Sequence, residues 1–138
     1  LYTADPAQLA VDTLKQVQQR LGELDGIQQQ AAERLQQDQA SEGLQQVAQG
    51  VEIWLQTQQA VQHSGELLGL DLGTMSVDGQ PVSDITANLA EQLRGLKDML
   101  ENGDTVALAD ALAYEWPETV QQWDRLVQAM IEAIEAKQ

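Results

Sequence analysis

His63 is the only histidine among 138 residues, and Ser64, Gly65, Glu66 and Leu67 follow it. An imidazole can exchange a proton near neutral pH or carry a phosphoryl group on a ring nitrogen, so this residue is the first to weigh for chemistry. A phosphoryl acceptor is helped by a nearby cation, whereas Glu66 supplies the opposite charge within the next turn. A structural role is equally open, because a helix dipole favours positive charge near the C-terminus of a helix. Glu66, Asp71 and Asp78 form a second candidate group, since converging carboxylates can hold a hard cation or act as acid and base. Their spacing lacks the regular acidic positions and closing glutamate of a calcium loop. With 22 acidic side chains in the chain, such groupings also arise by chance. Cysteine is absent, which excludes disulfides, thiolate nucleophiles and cysteine-ligated metals. Gly-x-Ser-x-Gly elbows, phosphate loops and dinucleotide fingerprints do not occur. The expectation is a protein that is not an enzyme and uses no cofactor or metal.

The elements that would position these residues are helices. Asp5 can cap the first helix with Pro6 at its first position and Gln8 completing a capping box. Its seam reads Ala7, Ala10, Leu14, Val17, Leu21, Leu24, Gln28, Ala31, Leu35, a heptad alternation with one polar break. Gly22 and Gly26 interrupt it and imply either a bend or a closely approaching backbone, and the expectation is one continuous helix through both. After a polar turn at Gln36 to Ala40, with Asp38 or Ser41 as cap, a second helix runs to about His63. Its stripe is Leu44, Val47, Ala48, Val51, Trp54, Leu55, Gln58 and Val61, leaving Ile53 outside. Gly43 and Gly50 leave room for a neighbouring helix. Ser64 to Ser83 is glycine-rich and irregular, with a tiny hairpin around Asp78-Gly79 and enough leucine to pack over the bundle. Ser83 or Asp84 caps a third helix with the stripe Ile85, Leu89, Leu93, Leu96, Met99 and Leu100, ended by Asn102-Gly103. Asp104 caps a fourth, whose stripe is Leu108, Leu112, Trp116, Val120, Trp123, Val127, Met130 or Ile131, and Ile134. Pro117 should kink that helix near Ala113 to Trp116 or divide it in two. The reading is an all-α, up-and-down four-helix bundle forming one domain over residues 1–138.

Charge narrows the partners. Acidic residues outnumber lysine and arginine by 22 to 7, for a formal charge of −15. The few cations are scattered, which argues against nucleic acid and against anionic membrane surfaces. No run reaches the roughly eighteen apolar residues of a membrane span, and no secretory signal is evident. The chain opens on Leu1 rather than Met, so a segment upstream is expected, and a targeting signal could lie within it. The location read from these residues is cytoplasmic. Glutamine tracts such as Gln28-Gln29-Gln30 read as solvated helix faces, since glutamine is uncharged and a good helix former.

Two stretches resemble known families. His63-Ser64-Gly65-Glu66-Leu67 near the end of a bundle helix resembles the site of histidine phosphotransfer domains, but the lysine of that family is missing, its glycine comes early and Glu66 stands where a cation would help. The run Thr3-Ala4-Asp5-Pro6-Ala7-Gln8-Leu9 resembles the opening of the first helix in flagellar secretion chaperones, which are small acidic bundles that hold the C-terminal segment of flagellin. That family's tyrosine-rich continuation is replaced here by Ala10-Val11-Asp12-Thr13, and the glycine-rich crossover has no counterpart in it. The resemblance implies a bacterial helical bundle that binds protein. The resulting expectation is a non-catalytic adaptor or chaperone-like protein holding an amphipathic segment of a partner. Phosphotransfer through His63 and self-association through exposed heptads are the alternatives. Ile27, Ile53, Leu126 and Ile131, which fall beside the seams, and Trp116 at the proline are the candidate partner-binding residues. Because so large a negative excess repels itself, moderate sodium chloride should raise the thermal midpoint. A series of melts from low to moderate salt checks this, and a flat or falling midpoint contradicts it.

Overall fold

A computed structural model describes residues 5–136 of the chain. Helix α1 (Pro6–Gln36) starts as its sequence dictates, with Asp5 Oδ1 accepting from the Ala7 N–H at 3.0 Å and Pro6 in the first turn. Gln8 does not close a capping box; its Nε2 donates to Asp12 Oδ1 at 3.0 Å. Ala10, Leu14, Val17, Leu21, Leu24, Gln28, Ala31 and Leu35 are buried in unbroken steps of four and three. A Cβ at Gly22 or Gly26 would meet nothing within 4 Å, and the helix runs through both, so neither marks a close approach.

Helix α2 (Ala40–Leu67) returns antiparallel to α1, pairing Gln30 with Gln46, Gln28 with Trp54 and Arg20 with Gln56. The turn departs from expectation. Asp38 takes a left-handed conformation (φ 61°), and Gln39 is the N-cap without a side-chain hydrogen bond. The seam of α2 is also displaced from the expected stripe. Gly43, Val47, Gly50, Trp54, Thr57, Val61 and Ser64 are buried, again in steps of four and three. Leu44, Val51 and Gln58 are only half-buried, and Leu55 is 49% exposed. Small residues on the seam let the two backbones approach, since a Cβ on Gly43 would lie 2.9 Å from Leu35 Cγ and 3.2 Å from the Ala31 carbonyl oxygen. That approach rotates the leucines off the interface. Gly50 leaves ordinary contact only, with Leu24 Cδ1 3.4 Å from its would-be Cβ.

The helix continues past His63 to Leu67 before the crossover begins. Leu72 of the crossover is seated against Gly65, where a Cβ would fall 2.8 Å from Leu72 Cδ1. The hairpin of β1 (Ser76–Val77) and β2 (Gln80–Pro81) turns at Asp78 and Gly79, both with positive φ (53° and 81°), as a type I′ turn requires. Val77 is buried, Asp78 Oδ2 lies 3.0 Å from Arg125 Nε, and Gln122 Nε2 donates to Gln80 Oε1 at 2.6 Å. These contacts strap the crossover to the last helix.

Helix α3 (Val82–Asn102) follows β2 directly, so Pro81 is its N-cap, and Ser83 and Asp84, the expected caps, sit inside its first turn. Gly103 ends it in a left-handed conformation (φ 65°). Asp104 Oδ1 then accepts from the Ala107 N–H at 3.1 Å to start α4 (Thr105–Asp110). A π-helical turn over Ala111–Glu115 joins α4 to α5 (Trp116–Ala136). Here the expected disturbance takes its form. Pro117 offers no N–H to the carbonyl four residues back and crowds it, and the Trp116 N–H reaches five residues back to the Ala111 carbonyl.

Helix α1 packs tightly on α2 and on the α4–α5 rod, while α3 packs lightly on α4, α5 and α2 alike. Across the diagonal, Trp54 of α2 meets Trp116 and Trp123 of α5 at centroid distances of 5.4 and 6.0 Å. The indole N–H of Trp54 donates to Gln28 Oε1 at 2.9 Å, buried between the helices.

Two sets of variants test this packing. Gly22→Ala and Gly26→Ala should each stabilise by about 0.5–1 kcal/mol through lost chain entropy, whereas Gly43→Ala should cost about 1–3 kcal/mol by wedging α1 from α2. Urea midpoints measure both. Gln28→Leu and Trp54→Phe each leave a buried polar atom unpaired, which costs about 1–3 kcal/mol. The double variant should therefore lose less than the sum of the singles, and strict additivity in that cycle would contradict a coupled pair.

Candidate functional site

His63 is exposed on α2 one turn before its end, with no side-chain hydrogen bond among the described residues. The three acids near it are not brought together. Glu66 is exposed and accepts from Gln62 Nε2 at 3.4 Å. Asp71 shapes a turn, its Oδ1 accepting from the Gly73 N–H at 3.0 Å, and Asp78 is tied to Arg125. Among the described residues, no group of three or more histidines or acids is placed to hold a metal ion.

The five candidate partner-binding residues do not form a surface. Ile53, Trp116, Leu126 and Ile131 are buried in the core, and Ile27 is half-buried against it. The reason is that the bundle hides a wider face than a strict heptad seam. The groove expected at these positions is filled by their own side chains, with Trp116 packed on Trp54. Thr3 and Ala4 of the N-terminal motif lie outside the described residues; Asp5 to Leu9 form the helix start already given.

An open site lies instead between α2 and α3, which pack only lightly on each other. It is a cleft of about 520 Å³, within the range of about 300–1,000 Å³ common to ligand sites. Val61, Val82 and Trp123 line it from the core, and each is buried. Leu55, Gln58, Gln59 and Gln62 form the α2 wall at the spacing of one helix face. Ser83 and Thr86 stand on the α3 side, and Leu72 and Gly73 come from the crossover. The position of Leu72 is set by Gly65, whose missing side chain leaves it room. Thr86 Oγ1 donates to the Ser83 carbonyl at 3.0 Å, so one of the two hydroxyl donors is already engaged.

Two electrostatic features mark the cleft. No lining residue is charged, in a chain with 22 acidic and 7 basic side chains. The indole N–H of Trp123, a residue 1% exposed, has no acceptor among the described residues. The lining therefore offers hydrocarbon, amide and hydroxyl groups, and no acid, base or thiol. A second groove of about 890 Å³ runs along the other flank of α3 against the π-helical turn and α5. It is acidic, with Glu91, Glu115 and Glu118 beside Tyr114, which is 77% exposed. Its one cation, Arg125, is paired with Asp78.

Sequence reasoning put Leu55 and Gln58 in the core and so missed the α2 wall. The signal that finds it is the parallel heptad of small residues from Gly43 to Ser64, which matches the α1 seam and leaves the Leu55-to-Gln62 face pointing elsewhere. No curated protein and no solved structure matches the chain. Residues 12–126, from the second turn of α1 into α5 and including the whole cleft, match a family described as a domain of unknown function (DUF8042), and the chain belongs to that family.

Proposed function

We propose that this chain is a non-catalytic binding module that holds a segment of a partner protein in the cleft between α2 and α3, in the manner of an adaptor or chaperone. The observation that carries the reading is the cleft between the lightly packed α2 and α3, where Leu55 is exposed and Leu72 half-buried beside uncharged polar side chains. Apolar surface left accessible between helices is where a partner segment gains most from burial. The groups lining the cleft are suited to holding a chain rather than cleaving or modifying one.

Phosphotransfer through His63 is the second reading. Exposure of the imidazole favours it, since a phosphoryl donor must reach the ring. Glu66 within the next turn opposes it, because it repels an incoming phosphate.

A photo-reactive residue at Gln59, an exposed position on the cleft wall, tests the first reading in cells of the source organism. The expected result is one discrete adduct with another protein, absent from the same probe at exposed Glu33 and strongly reduced by Leu55→Glu. An adduct between two copies of the chain would replace the reading with self-association, and no adduct at all would overturn it. Incubation with acetyl phosphate tests the second. Label that disappears in His63→Gln would establish phosphotransfer, and the expected result is no label.

A further inference from the structure

Beyond the cleft reading, we infer that the acidic groove on the far flank of α3 is a second binding surface, and that its occupant is an arginine-bearing stretch of a partner polypeptide. Glu91 stands on the α3 wall, with Glu115 and Glu118, three residues apart, on the wall that faces it. All three are exposed, and none belongs to either ion pair among the described residues. At the hairpin end Arg125 is already paired with Asp78, so the rest of the groove carries uncompensated negative charge. Carboxylates on both walls of a concave surface focus the potential between them. They do not converge on a point, since no group of three or more acids or histidines among the described residues is placed to hold a metal ion. Charges spread along a groove of about 890 Å³ match an elongated cation.

Three neighbours of these carboxylates select among elongated cations. Tyr114, 77% exposed, is carried on the rim by the π-helical turn, next to Glu115, and π-helical turns recur at functional sites. A guanidinium stacks on such a ring while its planar donors pair with a carboxylate beside it, which an ammonium does less well. Met99 is half-buried on the α3 wall, and Gly95 leaves that wall open, because a Cβ there would meet nothing within 4 Å. The aliphatic stem of an arginine covers apolar surface of this kind while its head stays with the carboxylates. Trp116 lines the groove from the core at 1% exposure; its indole N–H has no hydrogen bond among the described residues and is not sealed from the surface as that of Trp123 is. An indole N–H only donates, and a polypeptide brings backbone carbonyls to accept from it, whereas a polyamine has no acceptor. A second copy of the chain, itself at −15, is repelled from this surface.

Fluorescence anisotropy on the full chain tests this with a labelled eight-residue peptide in which arginine alternates with alanine. Binding is expected, and exchanging the arginines for glutamine should abolish it. Glu115→Gln combined with Glu118→Gln should weaken binding about five- to tenfold, and Tyr114→Ala about threefold. Glu33→Gln combined with Glu52→Gln removes equal charge from exposed positions on α1 and α2 and should change binding less than about twofold, since salt screens distant charges. Gly95→Arg adds bulk and a cation where the fold has free space, so it should abolish binding without lowering the thermal midpoint. The peptide should also move the ¹⁵N-indole resonance of Trp116, and Leu55→Glu in the cleft should leave its affinity unchanged. Equal losses from the two glutamine pairs would reveal diffuse attraction to net charge and overturn the inference. An unmoved Trp116 indole, binding lost in Leu55→Glu, or no binding would overturn it as well. Spermine held as tightly, with the same dependence on Tyr114, would overturn the choice of a polypeptide.

Discussion

The indole of Trp54 reaches from α2 into the centre of the bundle, where its N–H donates to Gln28 of α1 and its ring lies against Trp116 and Trp123 of α5. One side chain thus joins three helices, linking its own α2 to α5 by packing and to α1 by a buried hydrogen bond. A polar pair at a seam position costs stability relative to an apolar one but fixes register, because sliding either helix by a turn would strand both partners. Gln28 illustrates the cost, since its own Nε2 is buried without a partner. The phase of α2 follows from this pair. With Trp54 facing inward, Gly43, Gly50 and Thr57 must face α1, and Leu55 must turn away from it.

Packing is uneven around that centre, and the unevenness creates the cleft. Two matched heptad seams hold α1 to α2, and the tryptophans hold α2 to α5, but nothing comparable joins α2 to α3. Helix α3 buries only Val82, Ile85, Leu89 and Leu96. Its N-terminal end is anchored by the hairpin, which the Asp78–Arg125 and Gln80–Gln122 contacts tie to α5 rather than to α2. Elements with few buried apolar contacts open at lower free energy than the core. The helix best able to yield to an occupant is therefore the one that walls the cleft.

Electrostatics works by placement more than by pairing. The two ion pairs among the described residues, Arg34–Glu42 and Arg125–Asp78, are between exposed side chains and contribute little each. Most of the negative charge is unpaired and solvated, which sets the acidic flank of α3 against the neutral cleft beside it. Two sides of one helix thus present different chemistry without any change of fold.

What the sequence by itself determined is local. Helix starts at Asp5 and Asp104, the stop at Gly103, the turn at Asp78-Gly79 and the heptad of α1 depend on residues a few positions apart, and each stands as the pattern implies. Four helices and their antiparallel run follow from those signals and the short connections. Only the tertiary structure decided the phase of α2, the burial of Ile53, Leu126 and Ile131, the π-helical turn ahead of Pro117, and the cleft. In α2, apolar residues lie on two overlapping stripes, so periodicity alone offers two phases about 100° apart. Close approach of backbones at Gly43 and the reach of Trp54 to Gln28 select between them, and both are contacts between residues distant in the chain.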